Sequence, residues 1–280
     1  EAWQKYFRRW ILGVVATALQ RGINQTCLTL VGSQGKGKNT YFENLIPSHL
    51  KEYYDTTTVD FSGNKDAQAK ITSNLIIHLD EMESANRKQV GALKSIISLP
   101  SLKTRRIYDK FDEVLPRYAS FCGSVNHHDF LHDTTGSRRF LCVEALHIDW
   151  VSIDDTFRDQ LYAQALQALN KGETFKFSSE EIGEINAMNE RYNAISPEAE
   201  ALLKLFEPIP FESAQLFYTS TDIASKVQNL YPSLRFNANT IGKELRKYGF
   251  EQGNKRTEGS KTPSRYWAVK EITNFPEEKR

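Results

Sequence analysis

Residues 27–46 read CLTLVGSQGKGKNTYFENLI. The apolar, β-branched run CLTLV has the pattern of a short strand buried on both faces. It enters a turn whose glycines, Gly32, Gly35 and Gly37, let the backbone curl and point its N–H groups inward. Helical sequence follows, so a helix N-terminus would add positive potential there, and Lys38 would reach the terminal phosphates of a bound nucleotide. Gly32, Gly37 and Lys38 meet the pattern G-x-x-x-x-G-K-[ST] in the strand–loop–helix setting that gives it weight. The next residue departs from it: Asn39 stands where a hydroxyl is wanted, followed by Thr40. The turn is thus either a working nucleotide site with an unusual metal ligand or a decayed one.

The residues around it repeat the same alternation. Residues 1–22 read as a helix, with Tyr6, Trp10, Val14 and Leu19 at roughly helical spacing. The run WILGVVATALQ within it is too short to span a membrane, and a buried helix fits its context better than a signal segment. A helix is expected over about 38–47, a strand over 53–60, a helix over 64–73, a strand over 74–81 and a helix over 85–98. Two further strands fall at 118–126 and 139–146. Buried strands alternating with helices predict a mostly parallel α/β sheet. Cys27, Cys122 and Cys142 have no metal-type spacing, and two lie in apolar runs; buried reduced thiols of a cytoplasmic protein are the expectation. The chain opens on Glu1 rather than Met, as a fragment of a longer protein would.

Three more elements carry chemistry. LIIHLDEME is an apolar strand ending in Asp80-Glu81, 42 residues after Lys38; one carboxylate there suits Mg2+ and the next the polarising of an attacking water. FCGSVNHHDF ends another apolar strand at Asn126, a polar group able to position water beside a γ-phosphate. DTTGSRRFLCV places Arg138 and Arg139 between a glycine turn and a strand; an arginine there either bridges salt pairs or neutralises transition-state charge. His127, His128, Asp129, His132 and Asp133 also cluster, but in no spacing that matches a metal site. His78, inside an apolar strand, reads as a core residue.

In this order, LVGSQGKGKNTYF, NLIIHLDEMES, ALKSIIS, PRYASFCGSVN and DTTGSRRFLCV resemble superfamily 3 helicases, and more narrowly the virulence-associated protein E family of phage and mobile-element replication proteins. FRRWILG before them and RDQLYAQALQAL after them fit as well, so the resemblance covers about 1–195. It implies an AAA+-like P-loop ATPase core that works as a ring, usually a hexamer, around DNA, with ATP and Mg2+ as cofactors. Gly32, Gly35, Gly37, Lys38, Asn39 and Thr40 would then hold the nucleotide, and Asp80 with Asn39 the metal. Glu81 would be the second acid of the pair, Asn126 the sensor, and Arg138, with Arg139 as alternate, a finger offered to a neighbouring subunit. The family carries a hairpin between the acidic strand and the sensor. Here that segment is LKTRRIYDKFDEVLPR, whose Lys103, Arg105, Arg106, Tyr108 and Lys110 suit a single-strand backbone and its bases. The family often carries a primase domain ahead of this core, and the full-length chain is expected to do so.

The C-terminal part differs in charge. Residues 219–280 hold 12 Lys/Arg against 7 Asp/Glu, a net +5 in a chain whose total is +1. TSTDIASKVQNLYP and NANTIGKELRKYGF read as two capped helices, the second stopped by Gly249, and EQGNKRTEGSKTPSRYWAV as strand, basic tip and strand. Helix, helix and hairpin is the order of a winged helix-turn-helix, a small α+β domain. Lys243, Arg246 and Lys247 on the second helix, with Lys255 and Arg256 on the wing, suit phosphate contacts; such modules also bind proteins. The expected domains are an N-terminal helical segment (1–24), the ATPase core (25–150), a helical extension (151–206), and a linker (EPIPFES) with the winged helix (207–280). The function so read is an ATP-driven helicase or translocase on single-stranded or forked DNA. A DNA-binding assembly scaffold or regulator with a weak nucleotide site stands as the alternative, motivated by Asn39.

Overall fold

A computed structural model describes residues 2–58, 60–61, 65–104, 113–131, 137–149, 153–232, 236–256 and 263–272. The chain divides into two compact units, Glu1–Ala194 and Ile195–Arg280.

The first unit is a mixed α/β unit. Its elements run α1 (Ala2–Ala18), β1 (Cys27–Val31), α2 (Lys38–Glu43), β2 (Tyr54–Thr57), α3 (Lys65–Ala69), β3 (Ile76–Leu79), α4 (Arg87–Ser98), β4 (Ser101–Thr104), β5 (Glu113–Pro116), β6 (Ser120–Val125), β7 (Phe140–Glu144), α5 (Asp155–Asn170) and α6 (Ser179–Asn189). Strands β2, β3, β6, β1 and β7 form, in that spatial order, a five-stranded sheet in which every pairing is parallel. The continuous apolar runs follow from this, because helices cover both faces. Cys27 and Val31 pack on one face with Phe61, Ile71, Leu93 and Ile97. Leu28 and Leu30 pack on the other with α1, Phe42 and Ala165. Helix α1 is anchored through Trp10, whose indole Nε1 donates to the Phe121 carbonyl at 2.7 Å. The helix ends at Ala18, earlier than expected, and Leu19 beyond it is 47% exposed. All three cysteines are buried and free.

Local chemistry starts one helix, and packing constrains one strand. Helix α4 starts on a capping box, in which the Asn86 side chain accepts from Gln89 N–H and Gln89 reaches back to Asn86 N–H. Gly123 in β6 is fixed by packing: a Cβ there would lie 2.2 Å from Met82 Sδ. A side chain there would make Met82 of the turn after β3 shift. The hairpin expected between the Asp80 strand and Asn126 is present as the antiparallel pair β4–β5, with Lys103 opposite Val114. Arg105, Arg106, Tyr108 and Lys110 lie outside the described residues, as do His132 and Asp133.

The second unit begins earlier than the linker placed at 207. It holds α7 (Pro197–Leu205), β8 (Phe206–Pro208), β9 (Leu216–Tyr218), α8 (Ser220–Leu230), α9 (Ala238–Lys247), β10 (Gln252–Lys255) and β11 (Ser264–Glu271). EPIPFES is therefore not a bare linker: Glu207 and Pro208 pair antiparallel with β11. Pro208 fits because it lies at a strand end on the sheet's edge. Helix α7, read as part of the extension, contributes Ala201, Leu202 and Leu205 to this unit's own core with Ile223, Val227, Ile241, Leu245 and Trp267. Helix α8 is capped by Thr219 in a box with Asp222, and α9 by Asn237. Gly249 ends α9 at φ 78°, the left-handed conformation that favours glycine. No helix among the described residues is long and apolar enough to cross a membrane.

Candidate functional site

Parallel strands deliver their carboxyl ends to one edge of a sheet, the usual place for a ligand crevice in open α/β folds. Here three neighbouring strands, β3, β6 and β1, end in Asp80, Asn126 and the glycine turn. The register holds them level: Val31 pairs with Val125, Leu79 with Gly123, and Gly32 N–H donates to the Val125 carbonyl at 3.0 Å. Gly35 and Gly37 take φ of 84° and 78°, so the turn needs glycine at both.

Lys38 opens α2 and turns back into the loop, buried. Its Nζ donates to the Gly32 carbonyl (2.6 Å), the Ser33 carbonyl (3.0 Å) and Asn126 Oδ1 (3.1 Å). Burial lowers its pKa, opposed by the nearby carboxylates of Glu83 and Asp80. Asn126 is a bridge: its Nδ2 donates to Glu83 Oε1 at 2.7 Å, and its backbone N–H donates to the same oxygen at 3.2 Å. Glu83 Oε2 is buried without a hydrogen-bond partner among the described residues.

A second chain of bonds runs alongside. Asn39 Nδ2 donates to Asp80 Oδ2 at 2.9 Å, while Ser124 Oγ (2.8 Å) and Glu81 N–H (3.0 Å) donate to Asp80 Oδ1. Burial pushes the Asp80 carboxyl up, but these three donors outweigh it and hold it below the ordinary carboxylate range. His78 Nε2 lies 3.2 Å from Ser124 Oγ. Burial, opposed by Asp80, pushes the His78 pKa down to about 4, so the ring is neutral near pH 7.

The structure thus brings together Lys38, Asn39, Asp80 and Asn126. Glu81 sits in the turn after β3 with φ 51°, exposed, and Thr40 is exposed on α2. Arg138 and Arg139 are elsewhere. They precede β7, on a 3-10 turn (Ser137–Arg139), at the amino end of the sheet. There they line a cavity of about 450 Å³ with Asn24, Gln25, Thr26 and Lys176. Arg139 Nε donates to Ser98 Oγ at 3.0 Å, and burial beside Arg138 lowers its pKa, whereas Arg138 is exposed. In the second unit, Lys243, Arg246, Lys247, Lys255 and Arg256 are all exposed. Lys255 Nζ lies 3.7 Å from the Phe217 ring centroid.

Sequence reasoning missed Glu83 and Ser124. The signal for Glu83 was in plain view as the third acid of DEME, but only the 3-10 turn at Met82–Ser84 shows that it, and not Glu81, faces Asn126. Among the described residues no group of three His, Cys, Asp or Glu side chains is placed to hold a metal ion.

Residues 1–194 match the family model of the virulence-associated protein E-like domain. Curated proteins give no match. Among solved structures, the apo structure of the NrS-1 C-terminal region (305–718) is similar at a TM-score of 0.46 and 16% identity, over 94% of this chain and 71% of that one. The A form apo structure of the same region gives 0.44 at 14% identity, over 96% and 75%.

Proposed function

Because the chain belongs to the virulence-associated protein E-like domain family, we propose that it is an ATP-driven, superfamily 3-like helicase or translocase in phage or mobile-element replication. The observation that carries this reading is the meeting of Lys38, Asn39, Asp80 and Asn126 at the carboxyl ends of three adjacent parallel strands. The glycine turn then acts as a P-loop. Lys38 exchanges its two backbone carbonyls for phosphate oxygens. Asn126 holds a water in line through the amide that now bonds Glu83. Glu83, with an unpaired buried oxygen beside Asn126, joins Glu81 as the group that accepts the water's proton.

Mg2+ favours hard oxygen donors and is usually held by one or two carboxylates together with substrate phosphates. Asp80, kept ionised by its three donors, fits that role, and Asn39 fits it through its amide oxygen after releasing Asp80. The ion, when bound, neutralises phosphate charge.

Arg138 stands at the opposite end of the sheet from Lys38, so a nucleotide would meet it only on a second copy, as in a ring of subunits. The basic hairpin β4–β5 and the exposed cations of α9 and the β10–β11 wing, read as a winged helix, are the surfaces offered to single-stranded or forked DNA.

Lys38→Ala tests the reading directly. Turnover of Mg-ATP, measured with and without single-stranded DNA, should fall by at least about 100-fold; DNA-stimulated hydrolysis that survived the change would sink it. A second reading, an assembly scaffold with a silent site, rests on the Asn39 amide occupying Asp80. Robust turnover by the unmodified chain excludes that one.

A further inference from the structure

Three cations, Arg138, Arg139 and Lys176, line the cavity of about 450 Å³ at the amino end of the sheet. Among the described residues no Asp or Glu lines it. Burial and the charge of Arg138 both lower the Arg139 pKa, and no carboxylate opposes them. Like charges held together in a half-buried place cost free energy that a bound anion would offset. The fold nevertheless fixes the pair there. Ser137 precedes it on the 3-10 turn, and its Oγ donates to Asn186 Oδ1 at 2.9 Å. The buried Asn189 side chain donates to the carbonyls of Ser137 and Phe140, each at 2.9 Å. Helix α6, which carries both asparagines, thus pins the chain on either side of the arginines. Arg139 Nε is tied to Ser98 Oγ, which leaves its two Nη groups without a partner among the described residues. A guanidinium so held is pre-organised for an oxyanion.

The remaining wall is aromatic. Phe175 and Phe177 flank Lys176 in the loop between α5 and α6, and both line the cavity. The Phe175 ring packs against Gly22, where a Cβ would lie 2.9 Å from its Cζ. The Phe177 ring stands edge-on to that of Tyr6 at a centroid distance of 6.1 Å. Both phenylalanines are half-buried, so each is held in place and keeps a surface for a ligand.

Size and chemistry select the occupant. Sites that enclose a whole small ligand run from about 300 to 1,000 Å³, so a bare phosphate would leave most of this cavity empty. The cations suit a phosphate, and the rings suit a flat heterocycle, since aromatic side chains hold nucleobases by stacking. We infer that this cavity is a second nucleotide site, separate from the glycine turn. It takes a nucleoside monophosphate, with the phosphate on Arg139 and Lys176 and the base against Phe175 and Phe177. The site is complete within one copy, at the opposite end of the sheet from Lys38, and does not depend on what the glycine turn holds. The same chemical group occurs as a free mononucleotide and at the phosphorylated end of a DNA strand.

The test is displacement of a ribose-labelled fluorescent AMP from the full chain carrying Lys38→Ala, which removes the lysine of the glycine turn. Unlabelled AMP should displace it at least about tenfold better than adenosine or inorganic phosphate does. In that background Arg139→Ala and Lys176→Ala should each weaken AMP at least about tenfold. Lys176 is exposed, so its loss leaves the fold intact, and Lys176→Arg should keep the affinity. Phe175→Ala should weaken AMP and leave inorganic phosphate unchanged. Displacement by a phosphorylated oligonucleotide, but not by the same strand without its terminal phosphate, would assign the site to a strand end. Displacement by AMP and by neither strand would assign it to the free nucleotide. Absence of AMP binding, equal displacement by AMP and inorganic phosphate, or AMP affinity untouched by Arg139→Ala and Lys176→Ala together would overturn the site.

Discussion

The two ends of the five-stranded sheet are made by the same strands and do opposite things with charge. At the carboxyl end, side chains of opposite character satisfy one another: Lys38 bonds Asn126, Asn126 bonds Glu83, and Asn39 bonds Asp80. At the amino end, arginines dominate. Arg117 is fully buried and spends its guanidinium on the carbonyls of Ile96, Ile97, Leu99, Ala119 and Asn24. Three of those carbonyls belong to the last turn and cap of α4, where a cation also complements the helix dipole. Arg138 and Arg139 share that end but keep their charge near a cavity. The comparison teaches that, on the proposed reading, neither end is by itself a complete site for phosphate transfer. The carboxyl end holds Lys38 and the acids and the amino end the exposed Arg138, and the length of the strands keeps them apart in one chain.

The sharpest way to break this comparison is Arg138→Ala. If the ends of two copies combine, turnover should fall by about 10³-fold or more while nucleotide affinity stays nearly unchanged. Mixing that variant with Lys38→Ala should recover part of the activity, since the Lys38 end of one variant meets the Arg138 end of the other. Full activity of Arg138→Ala, or no recovery on mixing, would separate the two ends functionally. A smaller effect distinguishes the arginines of the amino end. Arg117→Ala strands several buried carbonyls and should cost about 3 kcal/mol of stability, read as a fall in thermal midpoint of about 6–12 °C. Arg117→Lys should recover little, because an ammonium cannot reproduce the planar fork.

An effect of similar size, spread over a pH range, concerns the carboxyl end. His78 is buried neutral beneath Asp80 and Ser124, with its pKa depressed to about 4 from 6.5. A depressed pKa means the unfolded chain binds the proton first as the solution acidifies. The His78 contribution is therefore intact above about pH 6.5 and is lost as pH falls toward 4, by about 3 kcal/mol in all. Denaturant titrations at stepped pH should show that slope, and His78→Gln should flatten it.

Much of this was legible in the sequence because it is local. An apolar β-branched run such as CLTLV has to be a strand, and LIIHLD and SFCGSV follow the same rule. The glycine turn, the cap at Thr219 and the stop at Gly249 are written in a few adjacent residues. What was misread is non-local. EPIPFES reads as a linker because two prolines obscure a strand that exists only through its pairing with β11. Helix α7 reads as part of the extension because nothing in its sequence says which core its apolar face will enter. Glu83 escaped notice because adjacency favours Asp80-Glu81, while the turn of the backbone after β3 decides which acid faces Asn126.

The sequence by itself determined the parallel α/β class, the family, and the residue types available for phosphate chemistry, since these depend on composition and short-range spacing. Only the tertiary structure decided which of those residues meet. Parallel strands carry every carboxyl end to one edge and every amino end to the other, so Asn39 and Asp80, 41 positions apart in sequence, come within 2.9 Å. Arg138, only 12 residues beyond Asn126, is left at the far end of the same sheet.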